Sequence, residues 1–279
     1  METFGERLVA ATERRGRLCV GLDPHPELLA AWGLPDSPHG LASFCEGVVA
    51  ALADRVAVIK PQSAFFERFG SAGLAVLEST FRQLREAGAL VLLDVKRGDI
   101  GSTATAYAYA YLDPEAALRA DAITVSPYLG FGSLHPMIDR ALATGAGVFV
   151  VTLSSNPEAA GLQHARRADG RTVAQAILDD VAQVNAGVRP LGSIGVVVGA
   201  TIGATDHDFT NVNGPILAPG LGAQGGTAEG LRTVFGSGLS GVLPSYSREV
   251  LAAGPGIEDL RAAVDRVRTV CHNVLMSDR

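Results

Sequence analysis

The sequence predicts a (β/α)8 barrel, an α/β fold in which eight parallel strands alternate with helices. Apolar runs typical of strands buried on both faces recur along the chain with helical segments between them. There are eight such units in 279 residues, which suits this barrel. A doubly wound sheet would more often have about five to seven strands and a dinucleotide-binding turn near its start. The runs lie at 17–23, 56–61, 89–96, 121–127, 147–153, 193–200, 214–220 and 241–247.

The segments between the runs have the pattern of helices. Residues 73–88, 132–145 and 172–187 carry apolar side chains at three-to-four spacing and close with glycine, as helix ends do. No linker interrupts the alternation of strands and helices. We therefore expect one domain covering residues 1–279.

Composition excludes several classes of protein. With 47% hydrophobic and 19% charged residues the chain can bury a large core, and its net charge of −6 argues against a nucleic-acid surface. No window reaches the roughly 18 apolar residues of a membrane span, and the first residues lack a signal-peptide pattern, so we expect a cytoplasmic protein without membrane contact. The three cysteines form no Cys-x-x-Cys pair. Neither a disulfide framework nor a metal site is predicted.

The end of the third strand is the most informative point in the chain. An apolar run, 89–93, stops at Asp94, and Lys96 follows two residues later. In a strand these two side chains project the same way, and Asp99 adds a second carboxylate. A surface turn with a solvated ion pair is the alternative. Strand ends, however, are where parallel-sheet enzymes place their chemistry.

Polar residues follow most of the predicted strands at the same end. Any single one has a simpler explanation, such as a turn at Asp23 before Pro24. Because active sites of this barrel lie on the loops after the strands, their joint occurrence predicts an active site there. The residues in question are Asp23, Lys60, Asp94 with Lys96, Ser126, Ser155, Gln224 and Arg248.

A glycine-rich segment after the seventh strand predicts a phosphate site. Residues 220–226 match G-x-G-x-x-G and precede a predicted helix at 227–235. A dinucleotide site is disfavoured, because the motif does not follow the first strand and no acidic residue lies about 20 residues on at a strand end. Barrels commonly bind phosphate after strands seven and eight, where backbone N–H groups at a helix start and Arg248 are available. We therefore expect a phosphorylated ligand and no cofactor.

These motifs, in this order on eight βα units, resemble the orotidine 5′-phosphate decarboxylase family. The element Asp94-x-Lys96-x-x-Asp99 is shared with related barrel enzymes acting on sugar phosphates, whereas the segment 219–226 and Ser247-Arg248 narrow the resemblance. The match spans nearly the whole chain. Segments 21–26, 125–130 and 155–157 are similar to the longer bacterial, mycobacterial-type (type 2) subgroup.

The resemblance implies an activity and a catalytic group. The reaction is cofactor-independent decarboxylation of orotidine 5′-phosphate to uridine 5′-phosphate (UMP) and CO2, the last step of de novo UMP synthesis. It implies that Lys96 donates a proton to C6 of the pyrimidine while Asp94 and Asp99 hold it in place. Lys60 completes an array of alternating charge and, with Asp23, contacts the ribose hydroxyls.

The resemblance also assigns the remaining substrate contacts. Ser155 matches the serine that bonds the pyrimidine edge, although the neighbouring Ser154 stays an alternative. Gln224 matches the residue bridging base and phosphate, Gly225 beside it is also assigned to substrate binding, and Arg248 matches the phosphate clamp.

A homodimer with shared sites is a further implication. In this family, residues matching Asp99, Ile100 and Thr103 reach into the neighbouring subunit's site.

Two other functions stay open from the sequence. One is a sugar-phosphate decarboxylase or aldolase whose lysine forms a Schiff base. The second is a non-catalytic protein that binds a phosphoribosyl ligand, since fold alone does not establish function.

Overall fold

A computed structural model describes residues 1–276; the last three residues of the expected domain, 277–279, lie outside the described part. Eight parallel strands form a closed barrel in sequence order, and the eighth pairs with the first. The predicted (β/α)8 fold is confirmed. The strands are β1 Cys19–Leu22, β2 Val58–Pro61, β3 Leu90–Arg97, β4 Ala122–Val125, β5 Gly147–Leu153, β6 Ile194–Val198, β7 Ile216–Ala218 and β8 Val242–Tyr246.

The observed strands agree closely with the predicted runs. Seven lie inside them, and only β3 extends further, by one residue to Arg97. β7 is the shortest strand, with three residues in a run predicted at 214–220. Its flanks contain Gly214, Pro215 and Pro219, and proline cannot donate a ladder hydrogen bond.

Twelve α-helices surround the barrel within residues 1–276, and none of them is long and apolar enough to cross a membrane. They are α1 Phe4–Arg15, α2 Pro26–Ala31, α3 Pro38–Leu52, α4 Ala64–Glu67, α5 Gly70–Glu86, α6 Gly101–Leu112, α7 His135–Thr144, α8 Ala160–Gln163, α9 Val173–Val184, α10 Gly230–Phe235, α11 Arg248–Leu251 and α12 Ile257–Met276. The helices predicted at 73–88, 132–145 and 172–187 correspond to α5, α7 and α9.

Local signals explain where several helices begin and end. At α1, Thr3 accepts the backbone N–H of Glu6 while the Glu6 carboxylate accepts that of Thr3, which is a capping box. At α9, Thr172 accepts the backbone N–H of Gln175. α7 ends at Gly145 with φ +69°, a left-handed conformation that glycine adopts without steric cost.

The barrel interior is apolar over most of its depth, and α1 closes its base. The Phe4 ring meets the Phe149 ring edge-on at 5.9 Å between centroids. Gly147 makes room for it, because a Cβ there would lie 2.4 Å from Phe4. All eight strands contribute apolar side chains to this interior cluster: Cys19, Val58, Leu90, Leu92, Ala122, Phe149, Val197, Leu217 and Leu243.

The cysteines do not form disulfides in the described chain. Cys19, Cys45 and Cys271 are all free and buried. Burial raises the pKa of the Cys19 thiol to about 12, so the side chain stays neutral and packs as a small apolar group.

Candidate active site

A cavity of about 340 Å³ opens at the carboxyl ends of the strands. Its lining combines residues that are far apart in the sequence, because parallel strands of a closed barrel end at one face. The predicted site residues that line it are Asp23, Lys60, Asp94, Lys96, Ser155, Gln224 and Arg248. A larger depression, of about 830 Å³, lies at the opposite end beside α1, and its charged lining residues are Arg17 and Arg189.

Several residues of the predicted set do not line the cavity. Asp99, Ile100, Thr103 and Gly225 are outside its lining, although Gly225 is next to Gln224. Ser126 is outside it as well, in contrast to the expectation. Its amide donates to the Arg97 carbonyl at 2.8 Å as the chain leaves β4.

Asp94 joins two ammonium groups at the floor of the cavity. Its Oδ2 accepts from Lys60 Nζ at 2.9 Å, and its Oδ1 accepts from Lys96 Nζ at 2.7 Å. The side chains of Lys60 and Asp94 are only 8% and 10% exposed, whereas that of Lys96 is 50% exposed. One cation is therefore a buried anchor, and the other faces the cavity.

Asp94 and Lys60 keep their charges across neutral pH. Burial would raise the pKa of Asp94, but the Lys60 and Lys96 ammonium groups hold it well below its usual range. Burial would likewise lower the pKa of Lys60, yet the carboxylates of Asp94 and Asp23 hold it above its usual value. Asp94 is thus a carboxylate and Lys60 an ammonium wherever the protein is folded near neutrality.

Two neutral donors complete the surroundings of Asp94, and the sequence analysis missed both. Thr124 Oγ1 donates to Asp94 Oδ1 at 2.8 Å. The Gln62 amide, with its nitrogen toward Asp94, donates to Oδ2 at 3.0 Å and to the Asp94 carbonyl at 2.8 Å. The signals were present: Thr124 is the polar residue within the apolar β4, and Gln62 lies two residues after Lys60.

The backbone at Lys96 is strained. Its φ of +43° lies in the left-handed region that non-glycine residues rarely adopt. The register between β3 and β4 shifts between Leu93 and Arg97, so Lys96 sits on a bulge. Such bulges re-aim side chains next to active sites. Here the bulge coincides with the exposed ammonium.

The wall formed by β1 and β8 contains unsatisfied polar atoms. Asp23 Oδ1 and Ser247 Oγ are buried, and within residues 1–276 neither makes a hydrogen bond. Buried polar atoms are usually paired, so two orphans on one cavity are consistent with a polar ligand between them. Beside them His25 packs edge-on against Phe65 at 4.4 Å between ring centroids.

The glycine-rich loop borders the mouth of the cavity. The amides of Gly222 and Gly226 donate to the carbonyls of Gly226 and Gly220, both at 2.9 Å, which closes the loop on itself. A Cβ at Gly226 would lie 2.5 Å from the Gly220 oxygen, so only glycine fits there. α10 starts at Gly230, three residues later than predicted; Thr227 lies before the helix and its Oγ1 accepts the Gly230 amide at 3.0 Å. The loop, and not the helix start, therefore faces the ligand space.

The two serines after β5 differ in their bonding. Ser154 Oγ donates to Asn156 at 2.8 Å and accepts from Gln163 at 2.9 Å. Within the described chain Ser155 makes no such side-chain bond, and it is exposed on the cavity. The Ser155 hydroxyl is therefore the one available to a ligand.

A closed parallel barrel with a Lys–Asp–Lys array at the strand ends defines a barrel enzyme site, and its glycine-rich loop and Arg248 suit a phosphorylated substrate. Comparison with known proteins gives the family. Residues 16–263 match the orotidine 5′-phosphate decarboxylase / HUMPS family, and the chain belongs to it.

Individual relatives are similar to this chain over almost its full length. The chain is 67% identical over 275 residues to the orotidine 5′-phosphate decarboxylase of Salinispora arenicola, covering 99% of each. It is 58% identical over 266 residues to that of Streptomyces coelicolor, covering 95% of this chain and 96% of the other. A crystal structure from Streptomyces avermitilis, assigned provisionally to the same enzyme, superposes with a TM-score of 0.95 at 54% identity and covers 99% and 97% of the two chains.

Proposed function

We propose that this protein decarboxylates orotidine 5′-phosphate to UMP and CO2 without a cofactor, as the last step of de novo UMP synthesis. Family membership and the activity for which its relatives are named support the reaction. The observation that carries the chemistry is the Lys60–Asp94–Lys96 array at the cavity floor, with one ammonium exposed.

The reaction needs a stabilised carbanion. When the bond from C6 to the carboxylate breaks, the electron pair stays on C6 and CO2 leaves. No neighbouring carbonyl can delocalise that pair, so preorganised charge must stabilise it. The Lys96 ammonium is suited to this role and then to giving its proton to C6.

Asp94 keeps Lys96 ready for this step. Its oxygens accept from Lys60, Lys96, Thr124 and Gln62, which fixes both the carboxylate plane and the Lys96 head group. Because the pKa of Asp94 is held below its usual range, the carboxylate also presents negative charge near the departing carboxylate of the substrate. Relief of that repulsion would add to the driving force.

Binding at the phosphate end supports catalysis from a distance. Gln224 and Arg248 lie exposed at the mouth, where they can close on a phosphate and on the base edge. Asp23, Lys60 and Ser155 line the same cavity; in this proposal Asp23 and Lys60 would contact the ribose hydroxyls and Ser155 the pyrimidine edge. Binding energy from such non-reacting groups can orient the substrate and raise the rate.

The protein would act in the cytoplasm as a homodimer with shared sites, with no nucleic-acid or membrane partner. Asp99 and Ile100 directly precede α6, and Thr103 lies in its first turn. None of the three lines the cavity of its own chain, and Ile100 is 62% exposed. Tyr128 is 75% exposed on the loop after β4. Exposed large apolar side chains of this kind favour an interface between copies, through which Asp99 would serve the partner's site.

Subunit exchange tests the shared site. Lys96→Ala and Asp99→Ala chains should each be inactive alone. In a hybrid dimer one site carries both lesions and the other neither, so random exchange should recover about a quarter of wild-type activity. Activity after mild denaturation and refolding measures this, with wild-type chains treated alike. No recovery, with hybrids confirmed by native mass spectrometry, contradicts the shared site.

The activity itself is tested by incubating chelator-treated protein with orotidine 5′-phosphate and following UMP by absorbance and chromatography. Steady formation of UMP supports the proposal. Binding without turnover would indicate a ligand-binding protein, and borohydride trapping of a substrate adduct would indicate Schiff-base chemistry. The raised pKa of Lys60 argues against the latter at that residue, because a Schiff base needs a neutral amine.

A further inference from the structure

The Thr124 hydroxyl makes three hydrogen bonds to the end of β3. Thr124 lies in β4 with 1% of its surface exposed, and its side chain borders the cavity next to β3. Its hydroxyl donates to Asp94 Oδ1 at 2.8 Å. The same oxygen accepts the backbone N–H groups of Val95 and Lys96, each at 3.0 Å.

These three bonds use the full capacity of the hydroxyl. A threonine oxygen has one proton to donate and two lone pairs to accept with. The two accepted N–H groups belong to the bulge at which Lys96 adopts a φ of +43°. A strained conformation persists only where its surroundings determine it, and Thr124 supplies that determination from the neighbouring strand.

We propose that Thr124 is a positioning residue for proton transfer by Lys96, an inference that rests on the decarboxylation proposed above. It acts at both ends of the Lys96 side chain. Through the backbone it fixes the direction in which the side chain leaves the bulge. Through Asp94 Oδ1 it fixes the oxygen with which the Lys96 ammonium pairs at 2.7 Å.

Substitution to valine tests this, because valine keeps the shape of threonine and removes the hydroxyl. A displaced catalytic group costs rate even when binding is intact. We expect Thr124→Val to lower kcat by about 100-fold while KM and the Kd of UMP change by less than about threefold. Thr124→Ser, which keeps the hydroxyl, should retain kcat within about fivefold of wild type.

Thr152→Val is the matched control. Thr152 lies on β5, is also 1% exposed, and its hydroxyl donates to the Val150 carbonyl of its own strand at 2.9 Å. The same change at a buried threonine outside the array should leave kcat within about twofold of wild type. Thermal unfolding of each variant reports any loss of stability separately from the loss of rate.

The outcomes are distinct. Equal kcat in Thr124→Val and wild type, or equal losses in the valine and serine variants, overturns the positioning role. If the valine variant does not fold, Thr124→Ala and Thr124→Ser provide the comparison, since these side chains differ only in the hydroxyl, and equal kcat in the two is again contrary. An inactive wild-type protein that binds UMP would instead contradict the proposed decarboxylation.

Discussion

The two ends of the barrel are built from the same strands and have opposite character. At the base, Phe4, Leu8 and Phe149 are almost completely buried in an apolar cluster. At the carboxyl end, Lys60, Asp94 and Lys96 occupy the same central space as a charged array. The comparison shows how one fold separates stability from chemistry along its axis.

β3 contains this change within a single strand. Its inward positions Leu90, Leu92 and Asp94 follow each other at the two-residue period of a strand, and Lys96 comes next, on the bulge. The first two belong to the apolar interior cluster, and the last two make the ion pairs. Burying the charges is tolerable only because each has an opposite charge and hydrogen bonds beside it.

The largest effect should come from removing the exposed charge. Lys96→Ala should lower kcat by about 10⁴-fold or more, because both charge stabilisation and the proton donor are lost. Binding of UMP should survive, since Arg248 is untouched. Steady-state kinetics and calorimetric titration with UMP measure the two. Turnover near the wild-type value would end the assignment of Lys96.

A substitution at the base of the barrel should lower the stability of the protein without changing its kcat. Phe4→Ala empties a fully buried site against Phe149 and should cost about 3–5 kcal/mol of unfolding free energy. Per folded molecule, kcat should stay unchanged. Urea unfolding with activity assays on the same samples checks this, with Phe4→Leu as the milder control. A large fall in kcat at full foldedness would contradict the separation of the two ends.

The next prediction compares one arginine at each end of the barrel, Arg248 at the cavity and Arg189 near the base. Arg248→Ala removes the expected phosphate partner and should raise KM by about 100-fold with a smaller loss of kcat. Arg189→Ala, at the depression beside the base, should leave KM unaltered. The readout is KM for orotidine 5′-phosphate at fixed ionic strength. An unchanged KM in Arg248→Ala would move the phosphate site elsewhere.

The smallest effect concerns pH. The pKa of Asp94 is lowered from its usual 3.8, so its stabilising contribution is present above pH 3.8 and lost as pH falls through the folded value. The pKa of Lys60 is raised from 10.5, so its contribution is present below pH 10.5 and lost as pH rises through the folded value. The stability difference between wild type and Asp94→Asn should therefore change little from about pH 5 to 9 and shrink only below about pH 4.

Urea unfolding of both proteins across this range measures that difference. A difference that stayed constant as the pH fell below about 4 would show that the pKa of Asp94 is not lowered in the folded protein. The ion pairs would then be weaker than their 2.7 and 2.9 Å distances imply.

The barrel could be predicted from the sequence because strands that are buried on both faces consist of continuous apolar residues. The sequence also predicted the residues that end those runs, such as Asp94 and Lys60. It did not predict that Thr124 and Gln62 hydrogen-bond to Asp94. These bonds join neighbouring strands, and the register between strands cannot be inferred from the local sequence. Nor did it predict that Ser126 does not line the cavity or that α10 starts at Gly230, because single-residue boundaries depend on tertiary bonds such as that from Ser126 to Arg97.

The closure of the base by α1 has a consequence for synthesis of the chain. α1 precedes every strand, yet Arg7 pairs with Asp121, and the Gly5 amide donates to Ser193 Oγ at 3.2 Å across 188 residues. At ribosomal rates of about 5–20 residues per second, this helix waits roughly 10–40 s before its last partner emerges. Phe4 lacks its ring partner Phe149 for most of that time. α1, made before every strand of the barrel, thus completes its contacts only after most of the barrel has been made.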